Sequence, residues 1–263
     1  MNNIVTLISN RLIRLTGNVF KLLSYPFHFV FRNKRFTIPE YSPAKIKSKA
    51  SAKVPRIIWQ TNYSNKSALP VYLNYLFNRL CSLNYDYYYV STEAREKYLK
   101  QHAPKELFAA YEMLTDGAAQ ADVWRVFVLY QQGGVYMDID ATLVWNLDTL
   151  IGTDNDSLYI KVSHNTEITN YFIATEPNNT DLKECLNLII HNINNYEPEM
   201  GVYHSTGPTV LNNVLSNKNI NAKDRKYVCI QGTFTNEYFQ YLDKPRGKWV
   251  HMDTKDLVKK RND

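Results

Sequence analysis

The chain has 263 residues and a formal net charge of +6, with 44% hydrophobic and 13% aromatic residues, ample for the core of one large domain or two small ones. Three scattered cysteines, Cys81, Cys185 and Cys229, argue against a disulfide framework and for a reducing compartment. Residues 1–53 hold ten Lys/Arg against one acid, Glu40, a net of +9 that leaves −3 for residues 54–263; a nucleic-acid-binding domain would carry its positive charge on the folded unit, not on an arm.

The N-terminal arm comes first. Ile4, Leu7, Ile8, Leu12, Leu15, Val19, Leu22 and Leu23 follow helical spacing. Asn10, Arg11, Arg14, Asn18 and Lys21 fall mostly on the other side, and Tyr25-Pro26 is expected to interrupt the helix. FHFVF then leads into Arg32-Asn33-Lys34-Arg35. No segment reaches the roughly 18 apolar residues of a membrane span, and no signal cleavage site is evident. Residues 1–36 therefore read either as a basic amphipathic anchor at a membrane interface or as a helix packed on its own domain. Residues 37–53 lack periodicity and read as a linker.

From Val54 onward strands and helices alternate, the signature of an α/β domain whose ligands bind at the carboxyl ends of parallel strands. A short buried strand over residues 54–62 ends in polar residues, with Trp59-Gln60 at its carboxyl end. A helix is expected over 67–82, a strand over 85–90, a helix carrying Glu93 to Gln101 after a Ser91 or Thr92 cap, and a helix opened by Pro104. Thr115 or Asp116 starts the next helix, which Gly133-Gly134 stops. Asp122 and Arg125 lie three apart on one face of it. Further strands are expected at Leu158–Val162, Tyr171–Thr175 and Tyr227–Gln231, with helices from Thr180 to Asn194 and from Ser205 to Leu215. Residues 54–253 form the domain and 254–263 a charged tail.

Asp138-Ile139-Asp140 follows the glycine pair directly. On an extended strand Tyr136, Asp138, Asp140 and Thr142 would share one face and Val135, Met137, Ile139 and Ala141 the other. Adjacent buried carboxylates repel, and a hard divalent cation relieves that cost. Taken singly each motif has a plainer reading: a solvated strand-end turn for the aspartates, a helix salt bridge for Asp122 and Arg125, a core residue for Trp59. His164 and His204 read as bystanders.

The ordered set is more specific than its parts. Ile-Ile-Trp-Gln-Thr follows a proline, then come Ala-x-x-Ala-Asp-x-x-Arg, Gly-Gly-Val-Tyr-x-Asp-x-Asp and Thr-Gly-Pro. Over residues 54–250, and most strongly over 118–143, this resembles glycosyltransferase family 32. That sugar-binding region is shared with the Golgi initiating α-1,6-mannosyltransferase and with capsule and lipopolysaccharide transferases, and more distantly with glucosylating bacterial cytotoxins. The resemblance implies a GT-A fold, a Rossmann-like mixed sheet flanked by helices. It implies a nucleotide-diphosphate sugar donor, Mn²⁺ or Mg²⁺, and transfer with retention to a lipid-linked glycan or saccharide acceptor. Asp140 would bind the metal, and Asp138 the donor and the metal. Asp122 and Arg125 would hold the sugar's hydroxyls. Trp59, where many members carry His, would stack the base, with Gln60 and Gly134 beside the donor. Asn170, Thr206 and Gly207 would line the acceptor side. The C-terminal segment departs from the family; Lys248 or Trp249 would contact the diphosphate and His251 would be a third ligand. The expected role is in capsule, O-antigen or lipopolysaccharide synthesis, at the cytoplasmic face of a membrane and without nucleic acid. The alternatives are a toxin-like transferase acting on a host protein and a non-catalytic adaptor.

Overall fold

The computed structural model describes residues 3–48, 50–162 and 167–259; His164 and the last four residues of the tail lie outside them. The chain opens with α1 (Asn3–Val30), followed by β1 (Phe36–Thr37), β2 (Tyr41–Ser42), β3 (Ile57–Thr61) and β4 (Lys66–Ser67). Next come α2 (Leu69–Leu80), β5 (Asp86–Val90), α3 (Thr92–His102), α4 (Lys105–Met113), α5 (Gly117–Gln132), β6 (Gly134–Met137) and β7 (Ala141–Leu143). The second half comprises α6 (Leu147–Ile151), β8 (Ser157–Lys161), β9 (Ile168–Thr175), α7 (Thr180–Asn194), α8 (Gly201–Ser205), α9 (Pro208–Leu215), β10 (Ala222–Asp224), β11 (Cys229–Gln231) and α10 (Glu237–Gln240).

Seven strands form one mixed sheet in the order β10-β8-β9-β6-β3-β5-β2. β3 runs parallel to both β5 and β6, whereas β9 runs antiparallel to β6 and β8. Successive side chains alternate between two cores. Ile58, Tyr87, Val135, Met137 and Phe172 face one; Trp59, Tyr136, Tyr159 and Ile173 face the other, under α5 and α7. Both faces are thus covered, which explains why these strands read as apolar runs. This is the mixed α/β sheet flanked by helices that the sequence led us to expect.

Local chemistry sets the ends of the key helix. Asp116 caps α5 by accepting from the amides of Ala118 and Ala119. Gly133 ends it at φ +65°, and Gly134 follows at φ +99°. A Cβ on Gly134 would lie 2.6 Å from the Ile57 carbonyl oxygen, so only glycine lets β6 leave α5 and lie beside β3.

Three expectations change. Pro26 does not end α1, which runs through it to Val30. The expected linker is stitched to the domain at two places: β1 pairs with β4, and β2 pairs with β5 at the sheet edge. The strand carrying the aspartates breaks at Asp138, where the chain turns and β7 leaves the main sheet to pair with β11.

Candidate active site

A cavity of about 390 Å³ opens at the carboxyl ends of β3, β5 and β6, with Thr61, Thr92 and Asp138 at those ends and Asp140, Asp122 and Arg125 in its wall. The two aspartates reach it through a turn, closed by the Ala141 amide donating to the Asp138 carbonyl at 3.0 Å. Tyr136 and Asp138 still share a side of the chain, and the Tyr136 hydroxyl donates to Asp138 Oδ1 at 2.7 Å. Ile139 and Ala141 pack in the same core as Val135 and Met137.

The turn is clamped from behind by buried amides. Gln60 Nε2 donates to the Asp138 carbonyl while its oxygen accepts from Tyr87. Asn74 donates to the carbonyls of Ile139 and Ala141, and Asn78 to that of Ala141. Three side chains from two elements therefore satisfy the turn's inward carbonyls, which would otherwise be buried without partners. The sequence signal for Asn74 and Asn78 was their i,i+4 spacing on the buried side of an apolar helix.

Asp122 is the second focus. Arg125 Nη2 lies 2.8 Å from its Oδ1, Asn170 Nδ2 donates to Oδ1 at 3.0 Å, and Thr206 Oγ1 donates to Oδ2 at 3.0 Å. Residues from α5, β9 and the turn after α8 thus converge on one buried carboxylate. Asn170 and Thr206, expected on the acceptor side, here hold Asp122 in place; Asn170 and Gly207 also line the cavity. Arg125 bridges the two foci. Its Nη1 donates to the Asn170 carbonyl at 2.7 Å and lies 3.6 Å from Asp138 Oδ1, and its guanidinium sits 4.4 Å over the Tyr136 ring.

Burial sets the electrostatics of the three carboxylates. Burial and the neighbouring Asp138 push Asp140 up to about 6, and Gln231 eases it by donating at 3.2 Å. Burial raises Asp138 as well, against Arg125 and the Tyr136 hydroxyl. Burial pushes Asp122 up to about 7, against Arg125 and Thr206. Two adjacent carboxylates that resist ionisation suit a divalent ion completed by substrate phosphates. Among the described residues no third His, Cys, Asp or Glu joins them. His251, expected as that ligand, instead places Nε2 2.6 Å from Glu237 Oε1.

Trp59 does not line the cavity. It is 8% exposed, stacked on Tyr88 at 4.7 Å and edge-on to Trp124, with its indole N–H donating to the Gly133 carbonyl. Its ring has no free face for a base, so it is a core residue. Gln60 and Gly134 likewise support the site from behind, whereas Lys248 and Trp249 reach the cavity beside Tyr241.

One residue in the wall had no sequence signal. Arg95, in a charged helix that reads as solvent-facing, is only 2% exposed. Its Nη2 donates to Thr92 Oγ1, its Nε has no partner, and no carboxylate of the described residues lies within ion-pair distance. Burial lowers its pKa. A buried cation without a counter-ion is costly, by several kcal/mol on the order of magnitude known for such groups.

Comparison with known proteins agrees with the resemblance seen in the sequence. Residues 70–158 match the model of the glycosyltransferase sugar-binding region containing a DXD motif. The chain is 28% identical over 175 residues to inositol phosphoceramide mannosyltransferase 3 of Schizosaccharomyces pombe, covering 65% of this chain and 48% of that protein. It is 26% identical over 163 residues to mannosyl phosphorylinositol ceramide synthase CSH1 of Saccharomyces cerevisiae, covering 60% and 41%. The chain thus spans less than half the length of these curated relatives. Among solved structures it is similar to PaToxG glycosyltransferase, at TM-score 0.48 and 19% identity over 79% of this chain and 78% of that one. It is also similar to the UDP-bound glycosyltransferase domain of the YGT toxin, at TM-score 0.40 and 14% identity over 57% and 54%.

Proposed function

We propose that the chain is a metal-dependent glycosyltransferase that moves a sugar from a nucleotide diphosphate, with retention, to a lipid-linked acceptor. The observation that carries this reading is that Arg125, Asn170 and Thr206 converge on Asp122, which shares one cavity wall with the Asp138/Asp140 turn. Asp138 and Asp140 would hold Mn²⁺ or Mg²⁺, which supplies charge neutralisation to the leaving diphosphate when bound. Asp122, locked by three donors, has one lone-pair direction left to accept from a sugar hydroxyl and so fixes the sugar's orientation; such positioning is a large part of barrier reduction. Arg125 ties the sugar-holding and metal-holding carboxylates into one rigid unit. Arg95 adds an unpaired positive charge to the cavity wall, and Lys248, paired with Glu237 at 3.2 Å, stands at its edge; both suit the donor's phosphates.

The lipid acceptor is supported by the two yeast relatives, an inositol phosphoceramide mannosyltransferase and a mannosyl phosphorylinositol ceramide synthase, and by the arm. None of the described helices is long and apolar enough to cross a membrane. Yet α1 exposes Ile8, Leu12, Leu15, Leu22 and Phe29, the face an interfacial anchor would use. On this reading the protein works at the inner face of a membrane, in assembly of capsule, O-antigen or lipopolysaccharide. The test is incorporation of label from radioactive nucleotide sugars into a lysate with its membranes. Label in the organic extract supports the proposal; label confined to protein contradicts it.

A further inference from the structure

We propose that the open cavity between the last turns of α1 and the turn after α10 seats the phosphate headgroup of an anionic membrane lipid. The proposal rests on the membrane placement above and not on the donor chemistry.

The starting observation is that α1 is inverted. Its inward face is largely polar or small: Thr6, Asn10, Gly17, Ser24 and His28, with Ile13 among them. Ser9 donates to the Val144 carbonyl, Asn10 to that of Lys226 and Lys21 to that of Gly232, at 2.7, 2.7 and 2.8 Å. Gly17 allows the close approach; a Cβ there would lie 2.5 Å from Thr233 Cγ2. The apolar stripe therefore points away from the domain, with Leu15 65% and Leu22 69% exposed. A surface helix ordinarily does the reverse, and a contiguous exposed apolar stripe marks an interaction surface. No acidic residue precedes Glu40, so the charge around this stripe complements an anionic bilayer.

At its C-terminal end the stripe runs into a cavity of about 660 Å³, whose walls include Tyr25, His28, Phe29, Arg32, Tyr238 and Leu242. The rings and Leu242 offer an apolar floor, and the rim is cationic. Arg32 is exposed, lies 5.5 Å over the Phe29 ring and is in no ion pair among the described residues. Arg35, also in the wall, is held by Asp243 at 2.5 and 2.6 Å. Its Nη1 donates to the carbonyls of Arg32 and Lys34, which quiets the negative end of the helix. Arg32 is thus the uncompensated charge.

His28, also in the wall, carries an unspent polar atom. Its Nε2 accepts from the Leu69 amide at 3.0 Å, so Nδ1 carries the hydrogen in the neutral ring. Nδ1 is buried and has no partner. Burial and Arg35 lower the ring's pKa, which keeps it in that neutral form. An unspent N–H, an unpaired guanidinium and an apolar floor continuous with a lipid-facing stripe match a phosphate joined to acyl chains.

The test titrates the full chain by calorimetry with dihexanoyl phosphatidic acid below its micelle concentration. We expect binding that Arg32→Ala weakens by roughly tenfold or more and Arg32→Lys partly restores. Dihexanoyl phosphatidylcholine and inorganic phosphate should each bind more weakly by a similar factor. Asp140→Ala should bind as the wild type, so loss of transfer activity and loss of lipid binding are read separately. Circular dichroism of each variant checks the fold. Unchanged affinity in a folded Arg32→Ala, equal affinity for phosphatidylcholine, or equal affinity for free phosphate would overturn the proposal.

Discussion

At the scale of single residues, Asp122 shows how the site is pre-organised. A carboxylate offers about four lone-pair directions, and Arg125, Asn170 and Thr206 occupy three of them. Thr206→Val removes one donor while keeping the shape. It should lower kcat/KM by roughly ten- to a hundred-fold, about 1.4–2.7 kcal/mol, with inhibition by the free nucleoside diphosphate unchanged. Arg95 makes the opposite case. Arg95→Met keeps the length and removes a buried unpaired charge. Thermal melting should show a more stable apo protein, and calorimetry a weaker nucleoside diphosphate. Asp140 leads to a prediction on pH. Its pKa is raised to about 6, so the folded chain binds its proton more tightly than the unfolded chain does. The carboxylate's destabilising effect therefore appears as pH rises from its ordinary value through about 6 and is full above that. Asp140→Asn should stabilise the metal-free protein at pH 7.5 by about 1–2 kcal/mol after allowing for its partial exposure, read as a higher melting point, and the gain should shrink toward pH 4. Metal-dependent nucleotide binding by the wild type should fall as pH drops through about 6.

Among the elements, those with local signals were legible. Asp116 and Gly133 delimit α5 by capping chemistry that needs no distant partner, and Thr180 to Asn194 came out as α7. The alternation of Val135, Tyr136 and Met137 between two cores followed from strand geometry. Features set by distant partners were not legible. Trp59 is closed off by Tyr88 and Trp124, neither adjacent in sequence. Periodicity showed which residues of α1 share a face, but not which way that face turns; the carbonyls of Val144, Lys226 and Gly232 decide that. Arg95 sits in a helix whose composition says solvent. The glycine pair deserves a direct test. Gly134→Ala meets both a φ of +99° and the Ile57 carbonyl, and chemical denaturation should show a loss of about 2–4 kcal/mol.

For the molecule as a whole, the arm and the site are joined through one segment. Lys21 holds Gly232, whose amide donates to the Asp140 carbonyl, and Phe20 stacks on Phe234. Tyr25 stacks on Tyr238 and packs against Phe239, while Tyr241 and Lys244 of the same stretch line the cavity that holds Asp138 and Asp140 in its wall. Deleting the arm would therefore disturb the Asp138/Asp140 turn, so membrane contact is better probed by substitutions on its exposed face than by truncation. The most direct measurement is release of free nucleotide from a panel of nucleotide sugars by the purified full chain, with Mn²⁺ and with chelator. Turnover of at least one donor is predicted, dependent on the cation and reduced by roughly a thousandfold or more, about 4 kcal/mol, in Asp140→Ala. Turnover that survives chelation, or full activity in Asp140→Ala, would contradict the account.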